Sequence, residues 1–188
     1  MKRAFDVAAA SVGLVVLAPV VFACALLIRL SSKGPAIFRQ ARIGKDERVF
    51  TCYKLRTMLT DTAHLPTHQT ASTAVTPIGK HLRRLKLDEL PQLWNVLKGE
   101  MSFVGPRPER PFFVEQFAKE IPYYTQRLSA KPGITGWAQV YYPYGATVED
   151  AVEKLRLDLY YIKNMSLILD LFIIMKTLKI IVLGKGAR

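Results

Sequence analysis

Cysteine and acidic residues are scarce in this 188-residue chain. The first shortage excludes a class of protein, and the second makes the chain strongly basic. The two cysteines, Cys24 and Cys52, cannot supply the disulfide framework that holds small secreted domains together. The 15 acidic residues face 27 lysines and arginines, which leaves a formal net charge of +12. Half of the residues are nevertheless hydrophobic, and this content excludes an intrinsically disordered chain.

The motifs of nucleic-acid-binding proteins are also missing. Such a function would suit the basic charge, but the chain has no zinc-finger spacing, no helix-turn-helix pattern and no ribonucleoprotein motif. We therefore expect no nucleic-acid partner. The chain likewise has no internal repeat and no linker that would separate two globular domains.

Charge is absent altogether between Val7 and Ile28, a run of 22 residues. As one straight helix this run would extend about 33 Å, enough to cross a hydrocarbon core of about 30 Å. Pro19 lies inside the run and removes a backbone hydrogen bond, so a break is expected there. The alternatives are a straight single-pass anchor and a re-entrant helix that dips into one leaflet. A cleaved signal peptide is a third reading, opposed by the basic residues that follow.

Basic residues flank this run on both sides, with Lys2 and Arg3 before it and Arg29 and Lys33 after it. Because lysine and arginine concentrate in cytoplasmic segments, these flanks favour keeping both ends of the run in the cytoplasm. The chain is therefore divided into a membrane segment, residues 1–32, and a cytoplasmic body, residues 33–188.

The first part of the body predicts strands followed by a loop. Apolar and polar residues alternate from Ile37 to Met58 around a charged turn, a pattern typical of a strand pair. Residues 60–77 show no periodicity and predict a loop. His64 and His68 within it are four residues apart, but no Cys or Glu lies close enough to complete a metal site.

The rest of the body predicts helices and one further strand. A helical spacing from Ile78 is interrupted near Pro91, and the sharp stop signals at Lys98-Gly99 indicate a second helix that starts near Asp88. The remaining predictions are a short strand at 137–141, a capped helix from Thr147 to Asn164, and an apolar helix at 166–183. That last helix carries three charges, so we expect it to lie at the membrane interface or to be buried.

Asp88 and Glu89 stand side by side at the predicted helix start, with Arg83 and Lys86 just upstream. Adjacent helical side chains point about 100° apart, so the two carboxylates cannot act as an acid–base pair on one atom. They can divide the work, one attacking while the other holds a cation. The helix dipole and the nearby cations should keep Asp88 ionised, and an ionised carboxylate can attack phosphorus. The alternative is an acidic pair that only caps the helix.

Several basic residues are candidates for binding phosphate groups. Lys54 and Arg56 lie on the second predicted strand, and Arg107 stands between two prolines that hold it extended. Together with Arg83 they offer several positive charges around the acidic pair. The alternative partner of the basic strand pair is the anionic phospholipid surface of a membrane.

Nearly the whole chain resembles one family, the bacterial sugar transferases, which are monotopic phosphoglycosyl transferases. The matching segments are GPAIFRQ at 34–40, YKLRTM at 53–58, LDELPQLWNVLKGEMSFVGPRP at 87–108, KPGITGWAQV at 131–140 and DLYYIKN at 158–164. The resemblance implies that a UDP-sugar gives its sugar phosphate to a polyprenol (undecaprenyl) phosphate, with release of UMP, as a first membrane step of exopolysaccharide, O-antigen or related glycan assembly.

The resemblance also implies roles for single residues. Asp88 would attack the phosphorus that bears the sugar and form a covalent phosphosugar intermediate, and Glu89 would help to hold Mg²⁺. Arg83 and Arg107 match family arginines near the phosphates, whereas Lys54 and Arg56 are a less specific match. The resemblance therefore implies that the chain is an enzyme, an undecaprenyl-phosphate sugar phosphotransferase.

The expected fold is α+β, a mainly helical monotopic membrane protein with an N-terminal re-entrant helix, interfacial amphipathic helices and a few short strands. The family's re-entrant helix breaks at a proline, which matches Pro19, and places the enzyme on the cytoplasmic face of the bacterial inner membrane. Relatives often have Ser where this chain has Ala18, and often Asn-Gly where it has Tyr141-Tyr142, so no sugar is predicted. A monomer and an oligomer both remain open, as do a minimal enzyme and the core of a longer protein.

Overall fold

The computed structural model describes residues 1–60, 74–142, 145 and 147–183. Over this part of the chain the α+β, mainly helical architecture is confirmed. The α-helices are α1 Lys2–Ser31, α2 Pro77–Arg84, α3 Gln92–Lys98, α4 Pro111–Glu120, α5 Trp137–Tyr141, α6 Val148–Lys163 and α7 Leu167–Val182. The strands are β1 Ile37–Ile43, β2 Val49–Leu55, β3 Ser102–Val104 and β4 Gly133–Thr135. Most of the loop predicted at 60–77, including His64 and His68, lies outside the described residues.

Helix α1 contains the whole uncharged run and continues through Pro19 as a single element. Its composition and 30-residue length are sufficient to cross a membrane. The expected break therefore does not separate two helices here, because a proline costs a helix one backbone hydrogen bond without forcing the chain apart. A re-entrant placement of α1 in a membrane stays a prediction.

Both ends of α1 pack against the body of the protein. Near its start, Asp6 is 2 % exposed and accepts hydrogen bonds from the Ser102 hydroxyl at 3.1 Å and from the Phe103 N–H at 3.2 Å. Near its end, Cys24 and Ile28 are buried in a cluster with residues of β2 and α2. The middle of the helix exposes its large apolar side chains, among them Val12, Val15, Val16, Val20 and Phe22.

Strands β1 and β2 form the predicted antiparallel pair, with Phe38 opposite Lys54. The second pair, β3 with β4, is parallel and holds two loops in close contact. A Cβ on Gly133 would lie 2.1 Å from the amide nitrogen of Gly105, so only glycine permits this approach. The strand predicted at 137–141 is wrong: the strand lies at Gly133–Thr135, and Trp137 begins helix α5, in which it packs on Tyr141 with ring centroids 4.4 Å apart.

The two C-terminal helices agree with the sequence. Thr147 and Asp150 form the predicted capping box of α6, and Asn164 ends that helix. Helix α7 follows and buries Asp170 and Ile173 against the body. Its opposite face is exposed and apolar, with Ile168, Leu171, Met175, Leu178 and Val182 spaced three and four residues apart.

Candidate active site

The acidic pair lies in a 3-10 turn, Leu87–Glu89, between α2 and α3. Sequence reasoning placed the start of a helix near Asp88, but α3 begins at Gln92 with Pro91 at its N-cap. Pro91 has no N–H to bond backwards, so the chain makes a separate turn before the helix begins. Lys86 enters this turn in the left-handed conformation, at φ 56°.

Asp88 is buried, with 8 % of its surface exposed. Its Oδ1 atom is buried and accepts no hydrogen bond from any residue that the structure describes. Burial raises the pKa of Asp88, and the neighbouring Glu89 raises it further, while Lys54, Lys86 and Arg83 act in the opposite direction. The nearby cations favour the ionised carboxylate as expected, but the loss of solvent outweighs them in the direction of the shift, so an ionised Asp88 stays a prediction.

Glu89 is equally buried but is paired with cations. Lys54 Nζ donates a 2.8 Å hydrogen bond to Oε1, and Arg107 Nη2 lies 3.7 Å from the same oxygen. Burial alone would raise the pKa of Glu89, but Lys54, Arg107 and Lys86 outweigh it and lower the pKa to about 2. Glu89 is therefore an anion at neutral pH.

Five of the six predicted site residues are thus connected through contacts or charge. Lys54, Arg107, Asp88 and Glu89 lie together. Arg83 acts on the Asp88 carboxylate through its charge, while its Nε donates to Thr57 Oγ1 at 2.9 Å. The sixth residue, Arg56, directs its guanidinium elsewhere.

Arg56 is bound to the end of α1. Its Nη1 donates to the carbonyl of Lys33 at 2.5 Å, and its Nη2 donates to the carbonyl and the hydroxyl of Ser32, both at 2.9 Å. Arginine often binds the last carbonyls of a helix in this way. The structure therefore assigns Arg56 to fixing the link between α1 and β1, and its phosphate-binding role stays a prediction.

Asn95 is a supporting residue that sequence reasoning did not single out. It is fully buried on α3, accepts from the N–H of Tyr53 at 3.2 Å and donates to the carbonyl of Thr51 at 2.7 Å. These bonds fix β2 next to α3 and so hold Lys54 beside the acidic turn. A polar residue between the apolar Leu93 and Val96 was the signal that could have found it.

Asp88 and Glu89 could bind a metal ion together with water and substrate phosphates, but not, in the part of the chain that the structure describes, as part of a larger cluster of protein ligands. Among the described residues there is no group of three or more His, Cys, Asp or Glu side chains that could hold a metal ion. Magnesium is commonly bound by one or two carboxylates together with water and substrate phosphates, and Asp88 and Glu89 suit that mode. The unpartnered Oδ1 of Asp88 provides a ligand or nucleophile atom that no hydrogen bond to a described residue occupies.

Comparison with known proteins identifies similar sequences over the whole chain. A family model described as "Bacterial sugar transferase" matches residues 1–184. A UDP-N-acetylgalactosamine-undecaprenyl-phosphate N-acetylgalactosaminephosphotransferase of Aeromonas hydrophila is 46% identical over 190 residues, which cover 100% of this chain and 45% of that protein. A UDP-glucose:undecaprenyl-phosphate glucose-1-phosphate transferase of Escherichia coli (strain K12) is 41% identical, covering 94% of this chain and 39% of that protein.

A shorter relative is matched over almost its full length. The "Exopolysaccharide production protein PSS" of Rhizobium leguminosarum bv. phaseoli is 42% identical over 185 residues, which cover 94% of this chain and 92% of that protein. In contrast, the chain spans less than half the length of the Aeromonas hydrophila and Escherichia coli relatives.

Proposed function

The chain belongs to the bacterial sugar transferase family, and on that premise we propose that it transfers a sugar 1-phosphate from a UDP-sugar to undecaprenyl phosphate, with release of UMP. The observation that carries the proposal is the buried Asp88 carboxylate, whose Oδ1 has no hydrogen-bond partner among the described residues, set beside the cations Lys54, Lys86 and Arg83. A desolvated carboxylate is a stronger nucleophile than a solvated one, and the cations suit the charge of a diphosphate.

The reaction divides into two displacements at one phosphorus. A carboxylate oxygen of Asp88 attacks the phosphorus that bears the sugar, a new O–P bond forms, and the bond to the other phosphate breaks so that UMP leaves. The phosphate oxygen of undecaprenyl phosphate then attacks the same phosphorus. This step releases the Asp88 carboxylate and yields undecaprenyl diphosphate sugar. Cations around the transferred group stabilise the charge that moves to the leaving oxygen.

Glu89 would hold Mg²⁺ on the diphosphate in this proposal. Its low pKa keeps it anionic, and a carboxyl group binds magnesium in this ionised form. Bound Mg²⁺ would neutralise charge on the diphosphate. Lys54 and Arg107 hold Glu89 in place, and their positive charges would attract the phosphate oxygens of the substrate.

We place the body on the cytoplasmic side of the inner membrane, with α1 entering and leaving one leaflet. A helix of 30 residues is about 45 Å long, and a straight span would carry one of its ends across the bilayer. The body contacts α1 through Asp6 near one end and through Cys24 and Ile28 near the other, and these contacts support the placement of both ends on one side of the membrane. The exposed apolar face of α7 suits contact with the acyl chains of the same leaflet.

A panel of UDP-sugars with undecaprenyl phosphate and Mg²⁺ tests this function, with UMP release as the readout. UDP-glucose and UDP-N-acetylgalactosamine are the first members, because the names of two relatives contain these UDP-sugars. We expect UMP from at least one donor, and lipid-linked sugar diphosphate in equal amount. The proposal fails if no UDP-sugar yields UMP from the folded protein.

A further inference from the structure

The segment at 105–110, which links β3 to α4 and carries Arg107, is held through its backbone carbonyls. Four consecutive carbonyls each accept a hydrogen bond from a distant part of the chain. The pairs are Gly133 N–H to Pro106 at 2.9 Å, Arg127 Nη2 to Arg107 at 3.0 Å, Arg42 Nη1 to Pro108 at 2.7 Å and Ile43 N–H to Glu109 at 2.9 Å. Because four consecutive carbonyls are bound, the backbone of this segment is fixed, and so is the position from which each side chain starts.

Arg127, one of these donors, is buried, with 5 % of its surface exposed. Its Nε and Nη2 donate to Oδ2 of Asp158 at 3.0 and 2.7 Å, and its Nη1 donates to the hydroxyl of Tyr124 at 3.0 Å. Asp158 lies on α6 and is 1 % exposed. Burial would lower the pKa of Arg127, but the Asp158 carboxylate outweighs that effect and raises it, so the guanidinium stays charged and fixed.

The buried ion pair between Arg127 and Asp158 lies next to the backbone of Arg107. A charged pair in a protein interior is often no more stabilising than apolar side chains of similar volume, so stability alone does not explain it. A second N–H of Arg127 Nη2 donates to the carbonyl of Arg107, the residue whose guanidinium lies 3.7 Å from Glu89. Prolines at 106 and 108 stiffen the backbone between the two contacts.

We propose that Arg127 is a positioning residue: held by Asp158 and Tyr124, it fixes the backbone of Arg107 and thereby aims the Arg107 guanidinium at Glu89 and the sugar diphosphate. The inference rests on the proposed function for its kinetic readout. Loss of Arg127's fork geometry would shift Arg107, and small displacements of a binding group are costly to a reaction that depends on orientation.

A double-mutant cycle separates positioning from general support of the fold. Arg127→Lys keeps the charge but lacks the planar fork that reaches Asp158 and the Arg107 carbonyl together. We expect it to lower kcat/KM for the UDP-sugar about tenfold. With Arg107→Ala as the background, the same change should cost less than about twofold, because the group that it positions is gone.

Tyr124→Phe is the milder second variant, since it removes one hydroxyl and leaves the ion pair intact. We expect a loss of about threefold that likewise disappears with Arg107→Ala. The matched control is Arg156→Lys on α6, the helix that carries Asp158. It alters an exposed ion pair, in which Arg156 Nη1 lies 2.5 Å from Glu153 Oε1. This control should leave kcat/KM unchanged.

Hydrogen exchange provides a readout that needs no activity. The amides of Ile43 and Gly133 donate to carbonyls of the 105–110 segment, so they report whether that segment loosens. In Arg127→Lys we expect both amides to exchange faster, while the amides of α6 do not change. If the wild-type chain releases no UMP, the proposed function fails and exchange still tests the positioning. Equal losses of kcat/KM in both backgrounds, or unchanged exchange at Ile43 and Gly133, would overturn it.

Discussion

Lys54 and Glu89 form a 2.8 Å hydrogen-bonded ion pair. Asp88 has no such partner among the described residues, so the pKa values of the two adjacent carboxylates shift in opposite directions. The ion pair contributes to lowering the pKa of Glu89 to about 2, whereas burial and Glu89 itself raise the pKa of Asp88. Environments that push the pKa values of neighbouring acids apart indicate different roles. This difference supports the proposed division of roles, in which Glu89 is the anion held by cations and Asp88 is the carboxylate that reacts.

Replacing Asp88 with Asn should abolish UMP release while leaving the fold intact. The side chain keeps its shape but loses the nucleophilic oxygen, so we expect activity to fall by at least about a thousandfold. The unfolding temperature should stay the same or rise, because a buried carboxylate and its repulsion with Glu89 are removed. UMP release and thermal unfolding in detergent check the two statements, and full activity of Asp88→Asn would contradict the assignment.

Replacing Lys54 with Met should destabilise the protein by about 3 kcal/mol, because it leaves Glu89 buried without its nearest cation. The double variant with Glu89→Gln should recover much of this loss. Thermal unfolding of the three variants measures it. The matched control is Lys98→Met, which removes an exposed partner of Glu100, 2.6 Å away, and should lower the free energy of unfolding far less than Lys54→Met does. Equal costs for Lys54→Met and Lys98→Met would refute the argument.

The same pair predicts a dependence of stability on pH. The pKa of Glu89 falls from 4.5 in the unfolded chain to about 2 in the folded one, so its contribution is present above pH 4.5 and is lost as the pH falls towards 2. A shift of this size corresponds to about 3 kcal/mol. Unfolding midpoints between pH 7 and pH 2.5 should show this loss in the wild type, and Glu89→Gln should reduce it. Identical profiles would show that Glu89 is not the group responsible.

The two ends of α1 should be accessible from the same side of the membrane. Ala4 and Ser31 are both exposed near those ends, so each can be changed to Cys, and the native Cys24 and Cys52 are buried. We expect an impermeant maleimide to label neither variant in intact spheroplasts and both after permeabilisation. Labelling of Ala4→Cys alone from outside would demonstrate a straight span and exclude the re-entrant helix.

Removal of magnesium should stop UMP release, and its return should restore it. Glu89→Gln should then need more Mg²⁺ for half-maximal activity than the wild type, since it removes the anionic ligand. A titration of UMP release against Mg²⁺ in both proteins measures the difference. Activity that survives a chelator unchanged would remove Mg²⁺ from the proposal.

Local signals in the sequence predicted several elements correctly. The alternation around residues 45–47 predicted the β1–β2 pair, and the Thr147–Asp150 capping box predicted the start of α6, because both depend on neighbouring residues alone. The strand predicted at 137–141 was wrong because its place is decided at a distance. The parallel partner β3 and the close contact of Gly133 with Gly105 move the strand to Gly133–Thr135.

The site shows the same limit. The sequence identified Asp88 and Glu89 and most of their cations, but the direction of the Asp88 pKa shift depends on burial, which neighbouring residues do not reveal. Arg56 illustrates it again, since a basic residue two positions after Lys54 turns to the carbonyls that follow α1. Arg127 and Asp158 lie 31 residues apart, and only the fold brings them together.

The most direct test of the covalent mechanism is the intact mass of the purified protein after incubation with its UDP-sugar and Mg²⁺, without undecaprenyl phosphate. We expect a gain equal to one sugar phosphate, which fragmentation locates on Asp88 and which is lost when undecaprenyl phosphate is added. Asp88→Asn should show no gain. A wild-type protein that releases UMP at full rate on adding both substrates, yet never gains this mass or gains it on another residue, would contradict the central claim.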